Sequence, residues 1–155
     1  MSKPADLSPT IIDQLYEEAL LLADEVRGAF DLSGRLDIAG QDEDLARVAL
    51  SCEALRTTTR MMHAIAWLLN QRAYFAGELS EFQLRHHGRL PVAQPPADYE
   101  QLAMLGPELV KLIHRTERFH ARISRLDGAW RDRFAMHPSA IHRLHDRLGL
   151  ELGTG

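Results

Sequence analysis

An all-α fold, an elongated antiparallel three-helix bundle with short accessory helices, is what this sequence predicts, on three observations. No segment alternates apolar and polar residues with the period of two expected of a strand. Between Gly40 and Gly77 there is neither glycine nor proline, and the apolar residues there recur at helical spacing. The prolines cluster instead near points where helices would begin or break. The 155 residues fit a single domain, 1–155, which can bury roughly two thirds of the surface its unfolded chain exposes.

The first helix is expected over about 9–30. Ser8 suits its N-cap and Pro9 its first position, where the missing N–H costs nothing. Its core stripe is Ile11 or Ile12, Leu15, Ala19, Leu22, Val26 and Phe30, and Gly28 and Gly34 loosen its end.

The second helix, about 42–76, opens on Asp42, Glu43 and Asp44, which favour the positive end of the helix dipole, and closes at Gly77. At about 1.5 Å per residue it is on the order of 50 Å long. It carries two apolar stripes. Leu45, Val48, Cys52, Leu55, Thr59, Met62, Ala66, Leu69 and Ala73 are expected to face the chain's own core, making Cys52 a buried thiol. Leu50, Ala54, Thr58, Met61, Ile65 and Leu68 lie roughly 120–180° away and form the expected homodimer interface.

Ser80 and Gln83 have capping-box spacing for a short helix over about 80–87 that stops at Gly88. Pro91, Pro95 and Pro96 enforce an extended connection, and Asp98 with Gln101 offers a second capping pair for about 98–105. The third long helix, about 107–134, begins at Pro107 and turns Leu109, Leu112, Thr116, Phe119, Ile123, Leu126 and Trp130 inward, with Gly128 kinking or ending it. A terminal helix is expected over about 138–148, with Ile141, Leu144 and Leu148 inward.

Composition narrows the function classes. One cysteine excludes an intramolecular disulfide. No run approaches the ~20 apolar residues of a membrane span, and 1–10 lacks the basic and apolar regions of a signal peptide, so a cytoplasmic protein is expected. The net charge of -4 hides an asymmetry: residues 1–50 carry 11 acids against 4 bases, whereas 101–155 carry 9 bases against 6 acids. An acidic first helix lying beside a basic last one satisfies that pattern, and two docking surfaces of opposite sign are the sharper alternative.

No glycine-rich phosphate loop, nucleophile elbow or Cys-x-x-Cys pair is present, so no catalytic residue and no cofactor is expected. Glu117-x-x-His120 has the spacing used in di-iron bundles, but those sites use the motif twice and here it occurs once. His63, His114 and His120 are a poor three-histidine set because they differ in helical phase, and no metal site is expected. Lys111, Arg115, Arg118, Arg122 and Arg125 make one basic stripe. The chain is acidic overall and interleaves no aromatics for base stacking, so a solvated arginine face paired partly with acids of the first helix, or docking to an acidic protein surface, is preferred over nucleic acid.

In the second helix, Glu53-Ala54-Leu55-Arg56-Thr57-Thr58-Thr59-Arg60-Met61-Met62 leads to Trp67-Leu68-Leu69, Arg72-Ala73 and Gly77-Glu78-Leu79-Ser80. With Arg115-x-x-Arg118-x-x-Ala121-Arg122-Ile123-x-Arg125-Leu126-Asp127, and more faintly Leu148-Gly149-Leu150-Glu151, about half the chain resembles the alphaproteobacterial RcdA-like family. The resemblance implies a small helical-bundle homodimer without catalytic activity, acting as an adaptor for the ClpXP protease in cell-cycle control. It implies a single-domain response regulator and a transcription-factor client as partners. The α-helical arginines Arg56, Arg60 and Arg72, with Lys111, Arg115, Arg118, Arg122 and Arg125, are the expected protein-binding set.

Overall fold

Ser8 Oγ accepts a hydrogen bond from the Ile11 N–H at 3.2 Å, and from this cap α1 runs Pro9–Arg35. The computed structural model describes residues 7–35, 43–136 and 148, and no strand occurs among them. α1 passes straight through Gly28, because tertiary packing of an apolar face holds a long helix more strongly than one residue's propensity weakens it. Its Ile12, Leu15, Ala19, Leu22 and Val26 are buried as expected, and Phe30 packs half-buried beside them. Ile11 stays outside.

The second helix, α2, runs Glu43–Phe75. Gly77 takes φ 79, a left-handed conformation that a side chain would strain, and the turn closes with Glu78 N–H donating to the Ala73 carbonyl at 2.9 Å. A short helix, α3 (Glu81–His87), follows under the expected capping box. Gln83 N–H donates to Ser80 Oγ at 3.1 Å, and Ser80 N–H donates to Gln83 Oε1 at 2.9 Å. α4 is a single turn, Tyr99–Leu102, shorter than expected. Asp98 caps it through the Glu100 N–H, while Gln101 Oε1 accepts from Arg56 Nη1 at 3.3 Å instead of completing a capping pair. The last long helix, α5, runs Pro107–Met136 and is not ended by Gly128. The terminal helix expected over about 138–148 lies outside the described residues apart from Leu148.

The cross-helix pairs fix the directions. Arg122 meets Glu18 and Arg115 meets Glu25, so α5 runs opposite to α1. Arg60 meets Thr116 and Trp67 meets Asp127, so α5 runs the same way as α2, and the expected antiparallel arrangement does not hold for this pair. The segment carrying α3 and α4 makes this possible by returning the chain along the flank of α2. The main core joins α1, α2 and α5 around Trp67, Leu68, Phe119 and Ile123. A smaller cluster of Leu102, Leu109 and Ile113 seats α4 against α5.

The two apolar stripes of α2 have exchanged roles. Met61 and Leu68, expected at a homodimer interface, are 3% and 0% exposed within the chain's own core. Ile65 packs half-buried against the same core, Leu50 against the smaller one, and Ala54 is half-buried, so of that stripe Thr58 alone is exposed. Conversely Leu45, Val48, Leu55, Met62 and Leu69, expected inside, are 56%, 57%, 71%, 63% and 44% exposed. Cys52 is correspondingly half-exposed and is not a buried thiol. Period alone says which residues share a face, not which of two apolar faces turns inward. The decision rests with Trp67 and Arg60, whose Nε1 and Nη1 atoms donate to Asp127 and Thr116 on α5, and with Ala46, Ala49 and Ala64, whose small side chains suit close helix packing.

Candidate interaction surfaces

The outward face of α2 is built from residues three and four apart: Leu45, Val48, Cys52, Leu55, Thr59, Met62, Ala66, Leu69 and Ala73. That alternation is a strict heptad row sustained over several repeats, the spacing by which one helix winds against another. The charges of the same segment point the other way. Glu53 and Arg60 are buried at 0% and 4% exposure, Arg56 is half-buried, and every exposed residue from Val48 to Leu69 is uncharged. A single exposed leucine needs no explanation, but a continuous apolar row on a helix that buries its own charges is a candidate interaction surface.

A second surface lies between α1 and α5. Arg115 Nη1 is 2.7 Å from Glu25 Oε2 and Arg122 Nη1 is 3.0 Å from Glu18 Oε1, all four side chains being about half exposed. Arg122 also reaches over the Phe119 ring at 5.9 Å. Between the two bridges sits a groove of about 440 Å³ whose walls include Leu21, Leu22 and Arg118. Arg118 makes no ion pair or hydrogen bond among the described residues.

A family model described as "Protein of unknown function (DUF1465)" matches residues 4–151. The chain belongs to the DUF1465 family. No curated protein and no solved structure is similar enough to match it. The family match covers the α2 row and the α1–α5 groove alike, so both belong to the DUF1465 region of the chain.

In this DUF1465 chain the expected protein-binding set separates into three groups. Arg115, Arg118, Arg122, Arg125 and Lys111 form one exposed stripe along α5; Lys111 is 3.4 Å from Glu108, and Arg125, like Arg118, has no partner among the described residues. Arg72 is exposed at the end of α2 but occupied, with Nε 3.1 Å from Asp13 Oδ1 and its guanidinium 4.5 Å above the Tyr16 ring, which ties α2 to the start of α1. Arg56 and Arg60 turn inward. Arg56 Nη1 bridges Glu53 at 2.9 Å and Gln101, and Arg60 donates to Thr116 Oγ1 at 3.1 Å. A surface role for Arg60 is therefore corrected to a structural one: burial lowers its pKa, Glu117 and Glu53 oppose that shift, and an arginine stays charged regardless. The periodicity of α2 does not reveal this, because it does not show that Arg60 packs on α5 and Arg56 against Gln101 of α4.

The described histidines show no converging ligand set. Glu117 is engaged by His114, Oε1 to Nδ1 at 2.9 Å, and His120 is buried with its pKa lowered first by burial, then by Arg60 and His63. Among the described residues no three His, Cys, Asp or Glu side chains gather where a metal ion would need them. No described helix is long and apolar enough to cross a membrane. The outward apolar residues of α2 and the exposed Leu21 of α1 were missed as surface features. Their signal was present in the unbroken three-four spacing, which suits a partner helix as well as a core.

Proposed function

We propose that this DUF1465 chain is a non-enzymatic protein–protein interaction module: an elongated three-helix bundle that pairs with a second copy through the outward row of α2 and holds other proteins on its remaining surface. The polarity of α2 carries the proposal. Its apolar heptad row faces outward while Glu53, Arg60 and Gln71 are buried, the reverse of what water alone would select. A second copy suits that row because a heptad seam needs another heptad seam, and among the described helices α2 presents such a row. From Leu45 to Leu69 the seam is about 36 Å long, a length compatible with the roughly 800 Å² per partner of a standard interface. From Val48 to Leu69 its exposed residues are uncharged, so two identical copies meet there without like-charge repulsion.

An adaptor role for ClpXP, in the cytoplasm and with a response regulator and a transcription-factor client as partners, is the finer form of the proposal. It is supported by the residue resemblance at 53–62 and 115–127. Such an adaptor works by tethering: holding a client near the unfoldase raises its effective concentration, and a dimer supplies each docking face twice. Catalysis has no comparable support, since the candidate acid Glu117 is engaged by His114.

Sedimentation of the wild type against Leu55→Asp and Met62→Asp tests the core of the proposal. Both side chains are mostly exposed in the single chain, so the variants should keep their helical circular dichroism and become monomers. A wild-type chain that is monomeric at tens of micromolar overturns the seam. The adaptor form is tested separately by the rate at which purified ClpXP degrades a cell-cycle transcription factor with and without the chain; an unchanged rate removes it.

A further inference from the structure

The two ion pairs between α1 and α5 are the outer rungs of a ladder. Glu18 and Glu25 are seven residues apart on α1, Arg122 and Arg115 seven apart on α5, so the rungs stand about 10 Å from each other. Arg118 occupies the middle level of α5, four residues from Arg122 and three from Arg115. The facing level of α1 holds Leu21 and Leu22 where a third acid would complete the series. Leu22 is buried, Leu21 is 69% exposed, and Arg118 is left without a partner among the described residues. The groove thus joins an unpaired guanidinium to an exposed leucine, above a floor that includes the buried Phe119.

We infer that this groove binds a short peptide segment of a partner protein in which a single carboxylate stands beside an apolar side chain, with Arg118 holding the carboxylate and the exposed Leu21 receiving the apolar group. The inference rests on the reading of the chain as an interaction module and assigns it a second face, separate from the α2 seam. Charge selects the ligand. The groove carries three arginines and two glutamates, one positive charge in excess, which matches one carboxylate. Glu18 and Glu25 flank Arg118 on both sides and repel a polyanion such as a nucleic-acid backbone or an anionic lipid surface. Arginine suits the task because its planar fork takes a carboxylate through two parallel hydrogen bonds. The two existing bridges hold Arg115 and Arg122 in place, so the ligand meets a rim that is already ordered.

The test is an NMR titration of the isotopically labelled full chain with N-acetyl-leucyl-aspartyl-leucinamide, the smallest probe with both groups. Saturable shifts at Leu21, Arg118 and Phe119, with a dissociation constant of order millimolar, are expected. Replacing the probe's aspartate by asparagine, or Arg118 by Ala, should weaken binding about tenfold, and Arg118→Glu should abolish it. Leu21→Ser should weaken it several-fold. Arg118 and Leu21 are exposed, so these variants should keep the wild-type melting curve and sedimentation. Absence of saturable shifts up to ~20 mM probe, or binding unaffected by Arg118→Glu, overturns the inference. Preferential shifts of the same groove by an oligothymidylate or by phosphatidylglycerol vesicles overturn it as well. Loss of self-association in Leu55→Asp with probe binding intact leaves the groove standing alone, which separates its fate from that of the seam.

Discussion

Trp67 on α2 donates its indole N–H to Asp127 Oδ1 on α5 at 3.0 Å, with both residues 1% exposed. The other oxygen of Asp127 meets Arg131 at 2.9 Å, one turn further along α5. A buried carboxylate is tolerated here because both of its oxygens are paired, one by a neutral donor from the facing helix and one by a cation that reaches in from the surface.

Removing Asp127 should therefore cost more than its size implies. Asp127→Ala leaves the Trp67 N–H buried without an acceptor and should lower folding stability by about 2–4 kcal/mol. Asp127→Asn keeps an acceptor for the indole, loses the charge pairing with Arg131, and should cost about 1 kcal/mol. Urea unfolding followed by tryptophan fluorescence distinguishes the two. Equal losses would mean that the indole bond contributes little.

Met61 and Met62 are neighbours in sequence with opposite burial, 3% and 63% exposed. Met61→Ala should lower folding stability by about 2–4 kcal/mol by leaving a cavity in the core. Met62→Ala should shift the unfolding midpoint little in dilute chain and weaken self-association instead. Urea curves at two protein concentrations a hundredfold apart check this, and a larger loss in the dilute chain from Met62→Ala would contradict the orientation of α2.

His120 sets an expectation for acid. It lies on α5 with Arg60 and His63 acting on it from α2, and burial with these neighbours lowers its pKa below the usual histidine range near 6.5. The unfolded chain therefore binds this proton first as pH falls. The contribution of His120 to stability is full above about pH 6.5 and is lost as pH drops through the folded value. Between pH 7.5 and about 5, the wild type should lose more stability than His120→Gln. Equal losses in urea unfolding at the two pH values would assign the acid sensitivity elsewhere.

Glycine substitutions should split in sign. At Gly28 in α1 and Gly128 in α5 an added Cβ meets nothing within 4 Å, so alanine should stabilise each helix by about 0.5–1 kcal/mol. At Gly77 there is space too, but φ 79 disfavours any side chain, and Gly77→Ala should cost about 1 kcal/mol. Thermal melts of the three variants check the pattern. Stabilisation by Gly77→Ala would show that the turn relaxes out of its left-handed conformation.

Much of the fold was legible without coordinates. α1 and α5 each carry a single apolar stripe against a charged face, so their inward residues from Ile12 to Val26 and from Leu109 to Trp130 follow from the 3.6-residue period. Ser8, Pro9, Gly77, Ser80, Gln83 and Pro107 mark boundaries by local chemistry alone. The charge asymmetry likewise foretold α1 beside α5, realised in Glu18–Arg122 and Glu25–Arg115.

The sequence by itself determined which residues share a helix face and where the long helices begin. Tertiary structure alone decided which apolar face of α2 is inside. That choice depends on Thr116 and Asp127, more than fifty residues away, which give Arg60 and Trp67 their hydrogen bonds. It also left Arg118 unpaired opposite Leu21. Periodicity is a property of one helix, whereas satisfaction of a buried polar group is a property of two, so neither the outward seam of α2 nor the α1–α5 groove is fixed until the helices meet.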